Sequence, residues 1–339
     1  MIEKISAINN IINSFVWGPY MLVLLIGTGV YMSIRTYFFQ VKNFNIWAKL
    51  TYGSMFDKHE KGHNITPFQA VSVALASTIG IGSIAGIATA IVSGGPGALF
   101  WMVVSAFFGM MTKFSEVVLS VYFREKDENG IHYGGPMYYI EKGLKQKWLS
   151  ILFAIFASIA TFGAGNMTQS NAIAGLLKQT LKLPEYISGI IVAIIVALVL
   201  IGGIKRISSV SEKLVPFMAT IYFIASIIIL IINFKNIPQA IKLIVSEAFS
   251  LKSAASGITG YAIFIAMRYG IARGVFSNEA GLGTAPIAHT ASNTNNPIKQ
   301  GMWGIFEVFN TLIICLLTGL VIISSDLYLY GNTAADGAF

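Results

Sequence analysis

The chain has 339 residues, of which 55% are hydrophobic and only 11% are charged. Charged residues make up about a quarter of an ordinary soluble domain, so this composition excludes a protein whose main solvent is water. A single cysteine, Cys315, excludes a disulfide framework and a cysteine metal site, and the net charge of +8 is explained by basic connecting segments and not by nucleic-acid binding.

Eight apolar stretches follow one another along the chain, and they predict an all-α membrane protein. Each is long enough, as a helix, to cross most or all of roughly 30 Å of hydrocarbon. The first lacks a strongly basic leader and a small-residue cleavage site, so it is predicted to be a spanning helix and not a signal peptide. The predicted spans are 15–36, 66–92, 97–122, 148–177, 186–204, 213–233, 254–276 and 300–324.

Basic residues are unequally divided between the two sets of connecting segments. Lys113 falls inside a predicted span, and six residues fall on one side: Lys4, Lys178, Lys182, Lys235, Lys242 and Lys252. The remaining sixteen of the 23 are assigned to the other side, among them Arg268 and Arg273. Cytoplasmic loops carry excess Lys and Arg, so the loops at 37–65 and 123–147 are predicted to be cytoplasmic and the N-terminus outside.

The second span contains glycines and hydroxyl residues at mid-membrane depth, in the run Ser77-Thr78-Ile79-Gly80-Ile81-Gly82-Ser83-Ile84-Ala85-Gly86. Glycine weakens a helix and lets the backbone approach a ligand. A helix broken here would offer carbonyls to a small hard cation such as sodium and N–H groups to a carboxylate. The alternative is a packing face, because Gly82 and Gly86 also form a G-x-x-x-G pattern.

A second interruption is predicted between Gly270 and Ala291, where polar, acidic and glycine residues follow an apolar run. Transporters built from two repeats often carry one broken helix in each repeat, with the substrate between them. The five spans from 66 to 233 fit a first repeat, and the second interruption opens the segment that follows. A channel is the weaker alternative, since no pore-loop filter accompanies the two predicted breaks.

Charged and polar residues inside the spans carry further hypotheses. Lys113 and Glu116, three apart on one helix face, are predicted to pair with each other. Glu307 has no evident local partner, and an intramembrane acid is a functional candidate. Ser277 and His289 raise the alternative of an intramembrane hydrolase, but no recognisable motif supplies a nucleophile, a base and an orienting group.

Five segments in the same order along the chain resemble the alanine or glycine:cation symporter family, the sodium:alanine symporters. They are the run from Ser14 to Met32, Gly94-Gly95-Pro96-Gly97-Ala98-Leu99-Phe100-Trp101-Met102, Gly134-Gly135-Pro136-Met137-Tyr138-Tyr139, Gly165-Asn166-Met167-Thr168-Gln169-Ser170-Asn171 and Phe276-Ser277-Asn278-Glu279-Ala280-Gly281-Leu282-Gly283. The resemblance implies a leucine-transporter-like inverted-repeat fold. Its parts would be a peripheral helix at 1–36, a first five-helix repeat at 37–233 and an incomplete second repeat at 234–339, with the C-terminal helices absent.

The resemblance also implies a substrate site and a function. The broken second span would bind the amino-acid backbone, Gln169 would contact the substrate, and Phe276 would wall the side-chain pocket. The implied site residues are Thr78, Gly80, Ile81, Gly82, Ser83, Gln169 and Phe276, with sodium held by the backbone of Ala76 and Ile79. The implied activity is sodium-coupled symport of alanine or glycine across the plasma membrane, with no enzymatic reaction, no cofactor beyond the coupling ion and no nucleic-acid partner.

Two departures from the family pattern leave alternatives open. Gly80-Ile81-Gly82-Ser83 stands where the family usually has Gly-Thr-Gly-Asn, so a hydroxyl and an amide are replaced. Relatives also continue for several more helices. The alternatives are therefore a truncated, non-transporting fragment, or a related symporter with a different small amino acid or with proton coupling.

Overall fold

The computed structural model describes residues 2–55, 64–249 and 259–326, and most of this part is helical. The first residues of the predicted span 254–276 and the end of the predicted second repeat, 327–339, lie outside the described residues. The elements are α1 (Ile2–Val16), α2 (Pro19–Arg35), α3 (Phe39–Lys42), α4 (Phe44–Gly53), α5 (Pro67–Thr78), α6 (Ala85–Gly94), α7 (Gly97–Tyr122), β1 (Glu125–Lys126), β2 (His132–Tyr133), α8 (Pro136–Leu144), α9 (Lys147–Ala160), a π-helix (Thr161–Met167), α10 (Thr168–Leu181), α11 (Glu185–Leu200), α12 (Gly203–Ile232), a short 3₁₀ turn (Phe234–Asn236), α13 (Ile237–Ala248), α14 (Thr259–Asn278), α15 (Thr284–Thr290) and α16 (Pro297–Ser324).

Helix α7 forms the centre of the molecule and contacts α16, α14, α2 and α13. Its bounds agree with the predicted span 97–122. Small residues let the neighbouring helices come close: a Cβ added to Gly304 of α16 would lie 3.1 Å from the Lys113 side chain, and one added to Gly97 would lie 2.5 Å from the backbone nitrogen of Ala248. This tightly packed centre fixes the position of the two interrupted helices beside it.

Five helices in the described part are long and apolar enough to cross a membrane, which agrees with an all-α membrane protein. They are Ala7–Arg35, Gly97–Tyr122, Lys147–Leu181, Gly203–Ile232 and Pro297–Ser324. The first of these runs from α1 into α2 across the break at Trp17 and Gly18, and α2 itself agrees with the predicted span 15–36. Many side chains on α9 to α12 are large, apolar and exposed, as expected for a surface that faces lipid.

The second predicted span is broken, as the sequence indicates. Thr66 caps α5 through a reciprocal pair of hydrogen bonds with Gln69, and the helix ends at Thr78. Residues 79–84 are irregular, and α6 resumes at Ala85. The interruption therefore lies within the glycine-rich run.

The second predicted interruption is also present, between Asn278 of α14 and Thr284 of α15. Three residues of the connection have positive φ: Glu279 (53°), Gly281 (92°) and Gly283 (76°). Left-handed backbone is routine for glycine but unusual for glutamate. The break therefore depends on the two glycines and holds Glu279 in a sparsely populated conformation.

The two broken helices run in opposite directions. One side of the molecule, here called the Arg124 side, is marked by the Arg124 guanidinium, which donates hydrogen bonds to the main-chain carbonyls of Thr290, Ser292 and Thr294 at 3.3, 2.8 and 2.6 Å. α5 begins there, since Ile65 donates to the Ala291 carbonyl. α14 approaches from the opposite side, here called the Trp17 side.

Arg268 and Arg273 were predicted on the same side as Arg124, and this prediction is wrong. Arg268 donates to the main-chain carbonyl of Trp17, at the start of α2, and α14 reaches the level of Gly109 in the middle of α7 only at Asn278. The prediction placed the cytoplasmic end of this span near residue 276. In the structure the helix is interrupted there at the middle of the membrane-spanning region, so the two arginines lie on the other side. Moving two residues changes the division of basic residues from sixteen against six to fourteen against eight, and the bias remains.

Several connecting segments contain more regular structure than predicted. The described part of 37–65 holds α3 and α4. The segment 123–147 holds the β1–β2 hairpin and α8, which begins at Pro136. α12 begins at Gly203, ten residues before the predicted span, because its first turns carry charged residues that lower hydropathy without ending a helix. α13 was not predicted.

Candidate functional site

A cavity of about 330 Å³ lies where the two broken helices face α9, the π-helix and α10. Its volume is at the lower end of the roughly 300–1,000 Å³ typical of small-molecule sites. Residues from all these elements line it: Ser77, Gly82, Phe153, Phe156, Ala157, Ala160, Thr161, Gly165, Gln169, Phe276, Glu279, Leu282 and Thr284. The cavity therefore brings together Gly82, Gln169 and Phe276, which are far apart in sequence and were all predicted as site residues.

The first break presents unpaired peptide groups beside this cavity. Among the described residues, the N–H groups of Gly80, Ile81 and Gly82 donate no hydrogen bond, whereas those of Ser83 and Ile84 both donate to the Gly80 carbonyl. Three adjacent free amides, in the turn between the end of α5 and the start of α6, can donate hydrogen bonds to an anion such as a carboxylate. Carboxylate binding at the glycine-rich run stays a prediction.

The Gln169 side chain lies opposite the first break. A Cβ added to Gly80 would lie 3.6 Å from the Gln169 Oε1, and within the described ranges the Gln169 amide has no hydrogen-bond partner. An amide offers two donors and one acceptor. The π-helix at Thr161–Met167 ends two residues before Gln169, and such insertions are common at functional sites. The sequence of this segment did not predict the widened helix.

Glu279 lines the cavity and was missed as a site residue. Its carboxylate accepts a hydrogen bond from the Thr284 hydroxyl across the second break. A carboxylate inside a membrane protein is rarely placed there without a partner or a function. The sequence contained a signal for Glu279 as a site residue, because an acidic residue at the predicted second interruption would lie inside the membrane.

Thr78 and Ser83 do not line the cavity. Both are almost fully buried, and the Ser83 hydroxyl donates to the Thr78 carbonyl at 2.6 Å and lies 2.8 Å from the Ser277 hydroxyl. Ser277 in turn lies 3.2 Å from the sulfur of Cys315, and Thr318 donates to the Ser83 carbonyl. These contacts tie the first break to α14 and α16. Ile81 is half-buried and also lies outside the cavity lining.

The carbonyls predicted to hold sodium are unpaired in the structure. Of the hydrogen bonds in the described ranges, none is accepted by the main-chain oxygen of Ala76 or Ile79, because α5 ends at Thr78 and the Gly80 amide does not continue the ladder. Backbone carbonyls are suitable ligands for a hard cation. In the part of the chain described here, no group of three His, Cys, Asp or Glu residues could hold a metal ion.

The buried charges pair differently from the prediction. Lys113 contacts Glu307 at 3.2 Å and not Glu116, and both partners are fully buried. Glu116 instead accepts the main-chain N–H of Gly281 at 3.0 Å, which occupies its carboxylate at the second break. Sequence spacing placed Lys113 and Glu116 on one helix face, but the lysine side chain turns towards α16.

Glu307 has no partner close in sequence, as expected, but it has two buried partners on other helices. Its second carboxylate oxygen lies 3.1 Å from the His289 Nε2, and the other ring nitrogen of His289 lies 2.7 Å from the Gln300 side-chain nitrogen. His289 belongs to α15, so this cluster joins α7, α15 and α16. Ser277 and His289 contact different groups, and the geometry gives no support to a serine–histidine hydrolase.

Comparison with known proteins identifies the chain. The sequence model of the sodium:alanine symporter family matches residues 2–338. The chain belongs to the sodium:alanine symporter family. It is 45% identical over 335 residues to the sodium/alanine symporter AgcS of Methanococcus maripaludis, covering 97% of this chain and 73% of that protein.

Two further relatives in the sodium:alanine symporter family cover nearly all of this chain. An uncharacterized transporter of Haemophilus influenzae is 42% identical over 342 residues, which is 99% of this chain and 74% of that protein. A protein of Bacillus subtilis named probable sodium/glutamine symporter GlnT is 35% identical, covering 97% of this chain and 67% of that protein. The family is one of membrane transporters and not of enzymes, and its named substrates are not identical.

Proposed function

We propose that the protein is a secondary active transporter that couples sodium entry to the uptake of a small neutral amino acid, alanine or glycine. The observation that carries this proposal is the cavity of about 330 Å³ between two helices that are both broken beside it. Unpaired backbone groups are tolerated within a membrane protein where they line a cavity or are buried in protein. The breaks therefore supply ligands for a solute and an ion at one place.

The lining groups suit an amino-acid zwitterion. In the proposed complex, its carboxylate accepts hydrogen bonds from the free amides at Gly80 to Gly82, and its ammonium group donates to Glu279 and to the Gln169 side-chain oxygen. Charge-assisted hydrogen bonds of this kind are stronger than neutral ones. The apolar wall formed by Phe153, Phe156 and Phe276 faces the small side chain and disfavours larger polar ones.

Sodium is proposed to bind next to the substrate through the carbonyls of Ala76 and Ile79. Their freedom from backbone hydrogen bonds supports this assignment, together with the family's name. Thr78 and Ser83 act in this proposal by holding the first break in place through their hydrogen bonds, and Ile81 acts through its main-chain amide. A proton-coupled symporter is the alternative that the same transport experiment distinguishes.

The proposed architecture is a multi-pass plasma-membrane protein with inverted repeats. Its parts are a peripheral helix at 1–36, a first repeat at 37–233 and a segment of the second repeat at 234–339. The opposite directions of the two broken helices, from the Arg124 side and from the Trp17 side, support an inverted relationship. The excess of basic residues on the Arg124 side supports a cytoplasmic location for that side.

Uptake into proteoliposomes tests the function directly. We expect radiolabelled alanine to accumulate when an inward sodium gradient is imposed, and unlabelled glycine to compete more strongly than glutamine. Accumulation driven by a proton gradient without sodium would favour the alternative coupling ion. No accumulation under either gradient, with folded protein verified in the same vesicles, would contradict symport by this chain.

Two substitutions test the site. Gln169→Ala and Glu279→Gln each remove one proposed contact to the ammonium group, and we expect alanine affinity to fall on the order of tenfold for each. Gln179→Ala is the matched control, because Gln179 lies on the same helix as Gln169 but is exposed away from the cavity lining. Equal affinities for the wild type and both variants would remove these side chains from the site.

A further inference from the structure

A second cavity, of about 370 Å³, lies on the Trp17 side and has a different lining from the first. It is formed between the end of α1 and one face of α14. Its lining residues are Asn13, Ser14, Trp17, Arg268, Tyr269, Ala272, Arg273 and Phe276. Phe276 lines both cavities, so its ring lies between them.

Two arginines give the second cavity its chemistry. The Arg268 Nε donates to the Trp17 carbonyl at 3.1 Å, and the Arg273 guanidinium lies 5.9 Å from the centre of the Phe276 ring. Both side chains are only partly exposed. Within the described residues, neither guanidinium has a carboxylate within 4.0 Å. Partly desolvated cations without a counter-ion are unfavourable, so an anion in this cavity would be stabilised.

The geometry points to a binding site for a small anion, either the carboxylate of an incoming amino acid or chloride. We propose that Arg268 and Arg273 bind this anion through their planar N–H groups, which match a carboxylate in shape. The Asn13 amide and the Tyr269 hydroxyl offer further neutral donors in the lining, whereas the Ser14 hydroxyl already donates to the Ile11 carbonyl at 2.8 Å. Two guanidinium groups with two neutral donors beside them suit one negative charge in a partly buried space.

The position of the site gives it a role in substrate entry. The Arg273 guanidinium lies over the Phe276 ring, and Phe276 also lines the central cavity. An anion held by Arg273 would therefore be close to the central cavity. An amino acid bound here by its carboxylate would be concentrated beside the central cavity before it passes Phe276. This role rests on the proposed transport function, whereas anion binding by the two arginines does not.

Anion binding can be measured without transport. The purified full chain in nanodiscs is titrated with trifluoroacetate, and the broadening of its ¹⁹F signal is followed. We expect saturable broadening in the wild type, at least about tenfold weaker binding in Arg268→Gln/Arg273→Gln, and an intermediate loss in Arg273→Lys. Arg206→Gln is the matched control, because it removes the same charge from an exposed position on α12 and should leave binding unchanged.

Equal trifluoroacetate binding by the wild type and the double variant would overturn the proposal, as would an equal loss in Arg206→Gln. If the double variant is less stable because Arg268 no longer bonds Trp17, Arg273→Gln alone decides the matter, since Arg273 makes no hydrogen bond in the described structure. Displacement by alanine that persists in Gln169→Ala identifies a substrate carboxylate, and displacement by chloride alone identifies a halide. Failure of the central site would appear only in the alanine-affinity measurements of Gln169 and Glu279 variants.

Discussion

Replacing Lys113 by methionine is expected to destabilise the protein strongly. The change leaves a side chain of similar length but removes the cation 3.2 Å from Glu307, where both partners have 0% exposed surface. The carboxylate would keep only His289 as a close partner. Removing one member of a buried ion pair costs about 3–5 kcal/mol, because the other charge is left uncompensated.

The measurement is the free energy of unfolding in mixed micelles, titrated with sodium dodecyl sulfate and followed by circular dichroism. Lys142→Met is the control, since its partner Glu125 is 2.6 Å away but both side chains are 40% exposed and solvent screens the pair. A double variant, Lys113→Met/Glu307→Met, should recover part of the lost stability by removing the stranded carboxylate. A Lys113→Met protein as stable as Lys142→Met would refute the argument that the buried pair holds α7 to α16.

Three further predictions concern backbone contacts and pH. Gly82→Val should lower alanine affinity several-fold, because even a Cβ at this position lies 3.3 Å from the α14 backbone; Gly27→Val, in open space, is the control. Gly97→Val should lower the free energy of unfolding by about 1–3 kcal/mol, because the new side chain overlaps α13. The control variant Gly27→Val should keep the wild-type free energy of unfolding. Burial lowers the pKa of His132 below its ordinary value near 6.5, so the unfolded chain takes up the proton first and stability should fall as pH drops below about 6.5. His132→Gln should flatten that pH dependence in thermal unfolding, and an unchanged slope would show that another group is responsible.

Local sequence patterns were sufficient to locate the interruptions in the two spans beside the cavity. Glycine and hydroxyl residues at mid-depth lower helix stability wherever they occur, and the chain breaks between Thr78 and Ala85 for that local reason. The bounds of α7 followed from a mainly apolar run between Gly97 and Tyr122, in which Lys113 and Glu116 are the charged residues. Helix interruptions and helix bounds depend on residues that are neighbours in sequence, so they can be predicted from the sequence alone.

Pairings between distant residues could not be read in the same way. Lys113 and Glu307 are 194 positions apart, and only the packing of α16 on α7 brings them together. The partner of Glu116 is a main-chain amide that becomes free because α14 stops early. Hydropathy also gave no depth for Arg268, since it measures the extent of an apolar stretch and not the level at which a helix is interrupted.

Arg124 joins the end of α7 to the segment after α15 through three main-chain carbonyls. α15 has only seven residues, and a helix of that length does not persist without tertiary contacts. If substrate release towards the Arg124 side requires α15 to swing outward, each opening must first break these charge-assisted bonds. The arginine then sets the resting balance between the two access states, and weakening it would raise the fraction of molecules that leak solute in the absence of an ion gradient.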